Sequence, residues 1–201
     1  MLGETLKTQL ADVSFLKGNT VEVKPLPKNA LVQTWLDEGG TDVMLLVQPH
    51  YRLAPTLGSI VVEAWVTIHP RIRPFTDYQD PFGTLPGVIY RNYLKTTYTI
   101  PNWPSPPLDL EDSAIVLASE KGKKARVIID AGMKELAQMI AYDLMQPGTD
   151  GEMPYLTPKG SKTLEKKTEE GFRFNGFVVR EGSGRTWLRT RTGELLSYDQ
   201  E

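Results

Sequence analysis

Apolar residues recur every three or four positions across residues 125–147, which is the pattern of a helix with one buried face. A stripe this wide is typical of a helix that packs on a sheet, and we favour this interpretation over recognition of a partner. Gly132 costs about 1 kcal/mol relative to alanine in a helix, which indicates that the backbone comes close to a strand there. Polar residues, Asp143 among them, are expected outside the stripe. Its members are Ala125, Ile129, Met133, Leu136, Ile140 and Leu144, with Val127, Ile128, Ala137 and Met139 broadening it.

Between residues 41 and 100 the pattern changes to long runs rich in Val, Ile, Leu, Tyr and Trp, which predict β-strands. The runs "TDVMLLVQPHYRL" (41–53) and "SIVVEAWVTIHP" (59–70) are separated by "APTLG", which predicts a hairpin. A third run, "GVIYRNYLKTTYTI" (87–100), extends the hairpin to an antiparallel meander. Because the apolar runs are nearly continuous, we expect at least one strand to lie centrally with both faces partly covered.

Further helices are predicted at residues 3–17 and 29–40 from helical spacing and from capping residues. The segment "LEDSAIVLASEKG" (110–122) predicts another helical piece, broken from the 125–147 helix near Gly122. The fold class predicted is therefore α+β: a mainly antiparallel sheet with helices packed on one face, plus a small C-terminal β meander.

Three regions are predicted along the chain. Residues 1–146 form the α+β core domain. Residues 147–171 are polar and rich in Gly, Pro and Lys, which predicts a linker or a long loop. Residues 172–201 return to strand character, with turns at "EGSG" and "TG", and predict a small β element.

Composition excludes several functional classes. The formal net charge is −2 over 201 residues, so no global field steers the protein toward nucleic acid or an anionic membrane. The chain has no cysteine, which excludes disulfides, thiolate catalysis and cysteine-ligated metal sites. No apolar run reaches the roughly 18 residues of a membrane span, and "MLGETLKTQL" lacks the features of a signal peptide. We expect no nucleic-acid partner and no transmembrane span.

The sequence also lacks an assembled catalytic pattern. Only His50 and His69 could act as bases near neutral pH. If Leu53 faces Ser59 across the hairpin turn, the two histidines lie far apart and cannot share a metal. No Gly-x-Ser-x-Gly nucleophile motif is present, and the "GSG" at 182–184 lies in a predicted turn. We expect a non-enzymatic protein without a cofactor or a metal.

The tail carries the one patterned polar cluster, "GRTWLRTRTG". Strand alternation places Arg185, Trp187, Arg189 and Arg191 on one face. Interleaved arginines and an aromatic ring are suited to holding an anionic ligand. Because Glu181 and other nearby carboxylates dilute the charge, the favoured interpretation is a solvated face on which Trp187 covers the arginine stems.

Two loops, 70–87 and 101–110, combine prolines with aromatic residues. Prolines limit the entropy that is lost on docking, and aromatic rings give a large contact area, so the loops predict a partner-binding surface. The slightly favoured alternative is that the rings fold back to cap an open end of the sheet. The candidate partner-binding residues are Phe75, Tyr78, Phe82 and Trp103.

Together, the hairpin at 41–70, the strand "YRNYLKTTYTI" and the helix "KARVIIDAGMKELAQMIAYDL" resemble a family of Gram-negative periplasmic lipoproteins. These have an α/β domain of the kind found at the TolB N-terminus and in the penicillin-binding-protein activator LpoB. The resemblance covers about residues 20–146 and rests on the order and texture of the elements. It carries over no catalytic residue. The end of the chain, "GFVVREGSGRTWLRTRTGELLSYD", is also similar to the C-terminal element of some lipoproteins.

The resemblance implies a non-enzymatic envelope module that binds a protein, expected to be another envelope protein, or a different envelope component. It implies a periplasmic location, with outer-membrane anchoring through a leader absent from this chain; the cytoplasm is the alternative. From the residues themselves, the alternative function is a small anionic-ligand binding protein that uses the Arg/Trp face of the tail.

Overall fold

The computed structural model describes residues 2–11, 13, 32–39, 43–55, 57–71, 90–103, 109–145, 162–167, 171 and 173–200. These residues form helices and strands in the order α1 (Leu2–Leu10), α2 (Val32–Gly39), β1 (Val43–Leu53), β2 (Ser59–Pro70), β3 (Tyr90–Thr99), α3 (Leu110–Met145), β4 (Thr163–Lys167), β5 (Arg173–Gly182), β6 (Arg185–Arg189) and β7 (Leu195–Asp199).

The strands of the described residues form one seven-stranded sheet in the order β1-β2-β3-β7-β6-β5-β4. All neighbouring pairs are antiparallel except β3 and β7, which are parallel. The fold is therefore α+β, as the sequence predicts. The expected C-terminal meander is β5-β6-β7, and β7 joins it to the sheet of the preceding strands.

The stretch predicted as a linker contains a strand, β4, which forms one edge of the sheet. In β4 only Leu164 and Lys166 are even partly buried, and the other three residues are exposed. An edge strand needs few apolar side chains, because only one of its edges is paired and charged residues protect the other. Because "TLEKK" is polar, the sequence pattern gives no sign of this strand. The linker prediction is therefore wrong for Thr163–Lys167. The rest of the division into three regions stays a prediction.

The hairpin of β1 and β2 is confirmed, but its register differs by one residue from the expected one. Leu53 faces Ile60 rather than Ser59, which places His50 opposite Glu63. The Ala54 N–H donates to the Ser59 carbonyl over 2.8 Å, so the turn closes one position later than the sequence suggests.

Helix α3 covers one face of the sheet, as the apolar stripe predicts. Most stripe residues are buried or pack against the main core. Gly132 lies directly on the sheet, because a Cβ built there would lie 2.6 Å from Cγ2 of Val62 in β2. The predicted close approach of backbone to strand is thus confirmed.

Two expectations for α3 are wrong. Val127, expected within the stripe, is 61% exposed, and Asp143, expected outside it, is buried. At about 100° per residue, Val127 lies about 140° around the helix from Gly132, whereas Asp143 lies only about 20° away. The buried face is therefore centred on Gly132, farther round the helix than the stripe alone indicates.

The break near Gly122 is also confirmed. Ser119 has extended backbone angles, and Glu120, Lys121 and Gly122 follow with positive φ values of 51°, 58° and 72°. Two helical segments, 110–118 and 123–145, therefore meet at a kink. In the described part of the chain, no helix has both the length and the hydropathy to cross a membrane.

Candidate functional site

Strands β6 and β7 are shorter than the strands on either side of them. β7 begins opposite Leu94, so β3 continues beyond it for residues 90–93. β6 ends opposite Phe177, so β5 continues beyond it for residues 173–176. The turn that joins β6 to β7 consequently lies in a gap between two longer strands, and we call this gap the notch.

The turn in the notch is tightly closed. The Thr190 N–H donates to the Glu194 carbonyl over 2.9 Å, and the Gly193 N–H donates to the Thr190 carbonyl over 3.1 Å. Gly193 has a φ of 93°, which favours glycine at this position. This geometry leaves Arg191 and Thr192 exposed at the tip of the turn.

The notch has a volume of about 500 Å³, within the range of small-ligand pockets. Three cationic residues, Lys95, Arg173 and Arg191, and one carboxylate, Glu194, are among its lining residues. Cations thus outnumber carboxylates by two, which favours an anionic guest. The full lining is Tyr93, Lys95, Arg173, Asn175, Thr190, Arg191, Thr192, Glu194 and Leu196.

The two notch arginines are available to a ligand. Arg191 is exposed and has no hydrogen bond or ion pair with any described residue. Nη1 of Arg173 lies 3.2 Å from Oε1 of Glu165, but both side chains are more than half exposed. Such a pair contributes at most about 1 kcal/mol, so a ligand can replace it. Oε2 of Glu194, in contrast, accepts hydrogen bonds of 3.3 Å from the hydroxyls of Thr190 and Thr192.

A buried network holds the turn from the α3 side of the sheet. Asp143 accepts hydrogen bonds from Arg189 (2.5 Å), from Asn92 (2.6 Å) and from the Tyr90 hydroxyl. Arg189 and Asn92 in turn donate to the Gly193 carbonyl over 3.0 and 3.2 Å. Because these donors are fixed by a buried carboxylate, the turn that carries Arg191 is fixed as well.

A second buried network joins α3 to β6 eight residues earlier in the helix. Glu135 forms an ion pair with Nη2 of Arg185 at 3.0 Å and accepts hydrogen bonds from Trp187 Nε1 (2.9 Å), Ser197 (2.7 Å) and Thr96. Burial alone would raise the pKa of the Glu135 carboxyl, but the Arg185 charge and the hydrogen bonds outweigh it and hold the pKa below its ordinary value. Glu135 is therefore a charged anchor within the core.

Arg185 has further partners at the edge of this network. Its Nη1 lies 2.5 Å from Oδ1 of Asp199, and its guanidinium lies 4.1 Å from the centre of the Tyr98 ring. Burial and the Glu135 charge raise the pKa of the Tyr98 hydroxyl. The Arg185 guanidinium is fully engaged inside the protein, since it also donates to the Thr97 carbonyl over 2.8 Å.

The structure therefore separates Arg191 from the other three residues of the predicted Arg/Trp face. Arg185, Trp187 and Arg189 do share one face, but that face lies under α3 and is buried, so the solvated-face interpretation is wrong. The two arginines on this face are paired with carboxylates of the same chain. Arg191 alone of the four reaches the notch.

A spacing in the sequence could have revealed this pairing. Glu135 and Asp143 are eight helical positions apart, about 12 Å along the axis. Arg185 and Arg189 are four strand positions apart, about 13 Å. Two acids and two arginines with matching separations can pair when a helix lies along a strand, but the sequence does not say which strand.

The predicted partner-binding loops are only partly described. Phe75, Tyr78 and Phe82 lie outside the described residues. Arg71 and Tyr90, which flank that segment, both lie at the end of the sheet where the notch opens. Trp103 follows the opposite end of β3 and packs, partly buried, against the main core. For Trp103 the packing supports the capping alternative.

An aromatic patch beside the notch was missed by sequence reasoning. Trp65 is 40% exposed, its ring lies 4.9 Å from the Tyr93 ring, and the Arg91 guanidinium lies 4.9 Å from its centre. The Tyr93 hydroxyl donates to Glu63 over 2.6 Å. Tyr93 also lines the notch, so the patch and the notch are continuous. The patch becomes recognisable only when Trp65 of β2 is known to pair with Tyr93 of β3. The sequence alone does not define that register.

Within the described ranges, His, Asp and Glu side chains form no group of three that could hold a metal ion. No protein-family model matches the chain, and no curated protein or solved structure shows significant similarity to it.

Proposed function

We propose that the protein is a non-enzymatic binding module that holds an anionic group, a carboxylate or a phosphate, in the notch. The observation that carries this proposal is the lining of the notch, in which three cations, Lys95, Arg173 and Arg191, surround a single carboxylate, Glu194. A buried network holds the turn that carries Arg191 and Glu194 in place. A turn fixed in this way supports binding, because little conformational entropy is lost when the ligand docks.

The expected affinity for an isolated anion is modest. Two charge-assisted hydrogen bonds contribute about 1.5–3 kcal/mol each, and the cost of association removes part of this. A dissociation constant near the millimolar range is therefore expected, since 1 mM corresponds to about −4.1 kcal/mol. Tighter binding would require further contacts outside the notch.

Calorimetric titration with citrate at low ionic strength tests the proposal. Citrate presents several carboxylates, and wild-type protein is expected to bind it in the millimolar range or better. The double variant Arg173→Ala/Arg191→Ala is expected to bind at least tenfold more weakly, because about 1.4 kcal/mol or more of contact is lost.

The matched control is Lys124→Ala/Lys134→Ala, which removes two exposed cations on α3. Citrate affinity should be unchanged in this variant, since neither lysine lines the notch. Equal weakening by the two double variants would mean that citrate senses net charge rather than a site, and the proposal would fail.

We further propose the cell envelope as the place of action, with another envelope protein as the partner. This part rests on the lipoprotein resemblance alone. Fractionation of cells that express the gene from its native locus tests it, and recovery of the protein with cytoplasmic markers would contradict it.

A further inference from the structure

Tyr93, Lys95 and Leu196 line the notch from the face of the sheet opposite α3, and Arg173 borders it from β5. Val62 and Thr96 meet Gly132 of α3, so Trp65 and Tyr93, at odd positions of the same strands, point to the other face. Every other residue of β2 is buried or partly buried, but Trp65 is 40% exposed. Trp, Tyr and Arg are the residue types most enriched in binding hot spots, so an exposed Trp beside a cationic pocket suits a docking site.

We propose that the notch and the patch of Trp65, Tyr93 and Arg91 together bind one extended acidic peptide segment of a partner protein. Carboxylates of the segment pair with Arg173 and Arg191, and an apolar side chain beside them packs on Trp65. This inference rests on the proposed function, because it assumes that the notch holds an anionic group.

The dimensions fit a short peptide. In the strand order β2-β3-β7-β6-β5, four inter-strand spacings separate Trp65 from Arg173. At about 4.8 Å per spacing the separation across the sheet is about 19 Å, which an extended chain covers with about six residues. A single small molecule does not reach both ends, whereas a short segment of chain does.

The chemistry of the patch favours a peptide over a sugar. A sugar stacks on an open aromatic face, but the Trp65 ring already contacts the Arg91 guanidinium and the Tyr93 ring. The Tyr93 hydroxyl, which could bind a sugar hydroxyl, already donates to Glu63. The exposed part of the Trp65 ring is an apolar surface next to the Arg91 guanidinium. Such a surface suits a peptide in which an apolar side chain is adjacent to a carboxylate.

Nucleic acid is disfavoured by the carboxylates on the same surface. A nucleic acid carries a phosphate on every nucleotide, whereas a peptide can place an uncharged side chain opposite Glu63 in the patch and Glu194 in the notch.

Fluorescence anisotropy with two labelled peptides tests the inference. One probe has six glutamates, and the other has five glutamates with a leucine at an internal position. Wild-type protein is expected to bind the leucine peptide about tenfold more tightly, the factor that follows when part of a leucine side chain is removed from water. In Trp65→Ala this preference should disappear while citrate affinity is retained.

Citrate binding separates the two proposals. Wild-type protein that binds citrate but does not distinguish the peptides would overturn this inference and leave the proposed function intact. Protein that binds neither citrate nor peptide would overturn both. Competition by an oligogalacturonate or a single-stranded oligonucleotide that is stronger than competition by the leucine peptide would identify a different ligand class and reject the peptide.

A second measurement does not depend on the folding of a variant. In wild-type protein the indole N–H resonance of Trp65 is expected to shift with the leucine peptide and to stay in place with citrate. An unshifted Trp65 resonance at saturating leucine peptide would exclude contact with the patch.

Discussion

Replacing Glu135 with alanine is expected to lower the free energy of unfolding by about 3–5 kcal/mol, the usual effect of removing one partner from a buried ion pair. The variant leaves the Arg185 guanidinium buried with only Asp199 as a charged partner, and it removes the acceptor of the Trp187 indole N–H. Chemical denaturation monitored by far-UV circular dichroism measures the change.

Glu181→Ala is the matched control, because Glu181 also pairs with a cation, Lys162, at 2.8 Å but on the surface. Its loss should cost no more than about 1 kcal/mol. If the Glu135 and Glu181 variants lose similar amounts of stability, Glu135 is not the buried anchor that joins α3 to β6.

Gly132→Ala is expected to destabilise the protein by about 1–3 kcal/mol, the range for overpacking of a core. In an open helix the same change would add about 1 kcal/mol of stability through helix propensity. The sign reverses here because the new Cβ would lie 2.6 Å from Cγ2 and 2.9 Å from Cβ of Val62, a fully buried and branched side chain. Thermal and chemical unfolding both report the change.

A double-mutant cycle with Val62→Ala isolates the contact. Alone, Val62→Ala should destabilise by creating a cavity, whereas in the Gly132→Ala background it should cost less because it relieves the clash. Additive effects of the two substitutions would show that α3 does not press on β2 at this point.

The elements with the longest apolar patterns could be predicted from the sequence. The segments of β1, β2 and β3 contain long apolar runs, the segment of α3 has helical periodicity, and Gly132 marked the contact between helix and sheet. The break at Gly122 was visible for a similar reason, since glycine interrupts an otherwise helical run. Local pattern decides these features, because burial of an apolar face dominates the stability of each element.

Features that depend on tertiary packing were not predicted. Alternation placed Arg185 and Arg189 on one face, but alternation cannot say whether that face meets water or another layer. The carboxylates that pair with these arginines inside the core, Glu135 and Asp143, lie some fifty residues earlier in the chain. The notch likewise follows from the unequal lengths of paired strands, which only the strand order and register define.

In the proposed function, Arg173 and Arg191 contact the ligand, whereas Arg185 and Arg189 stabilise the fold. Arginine Nε–Hε resonances in ¹H–¹⁵N spectra, recorded during a citrate titration of wild-type protein, test it most directly. We expect the resonances of Arg173 and Arg191 to shift in a saturable way, together with the backbone amides of Thr192 and Gly193, while those of Arg185 and Arg189 stay in place. Shifts confined to Arg185 and Arg189, or spread evenly over all exposed arginines, would contradict the proposed function.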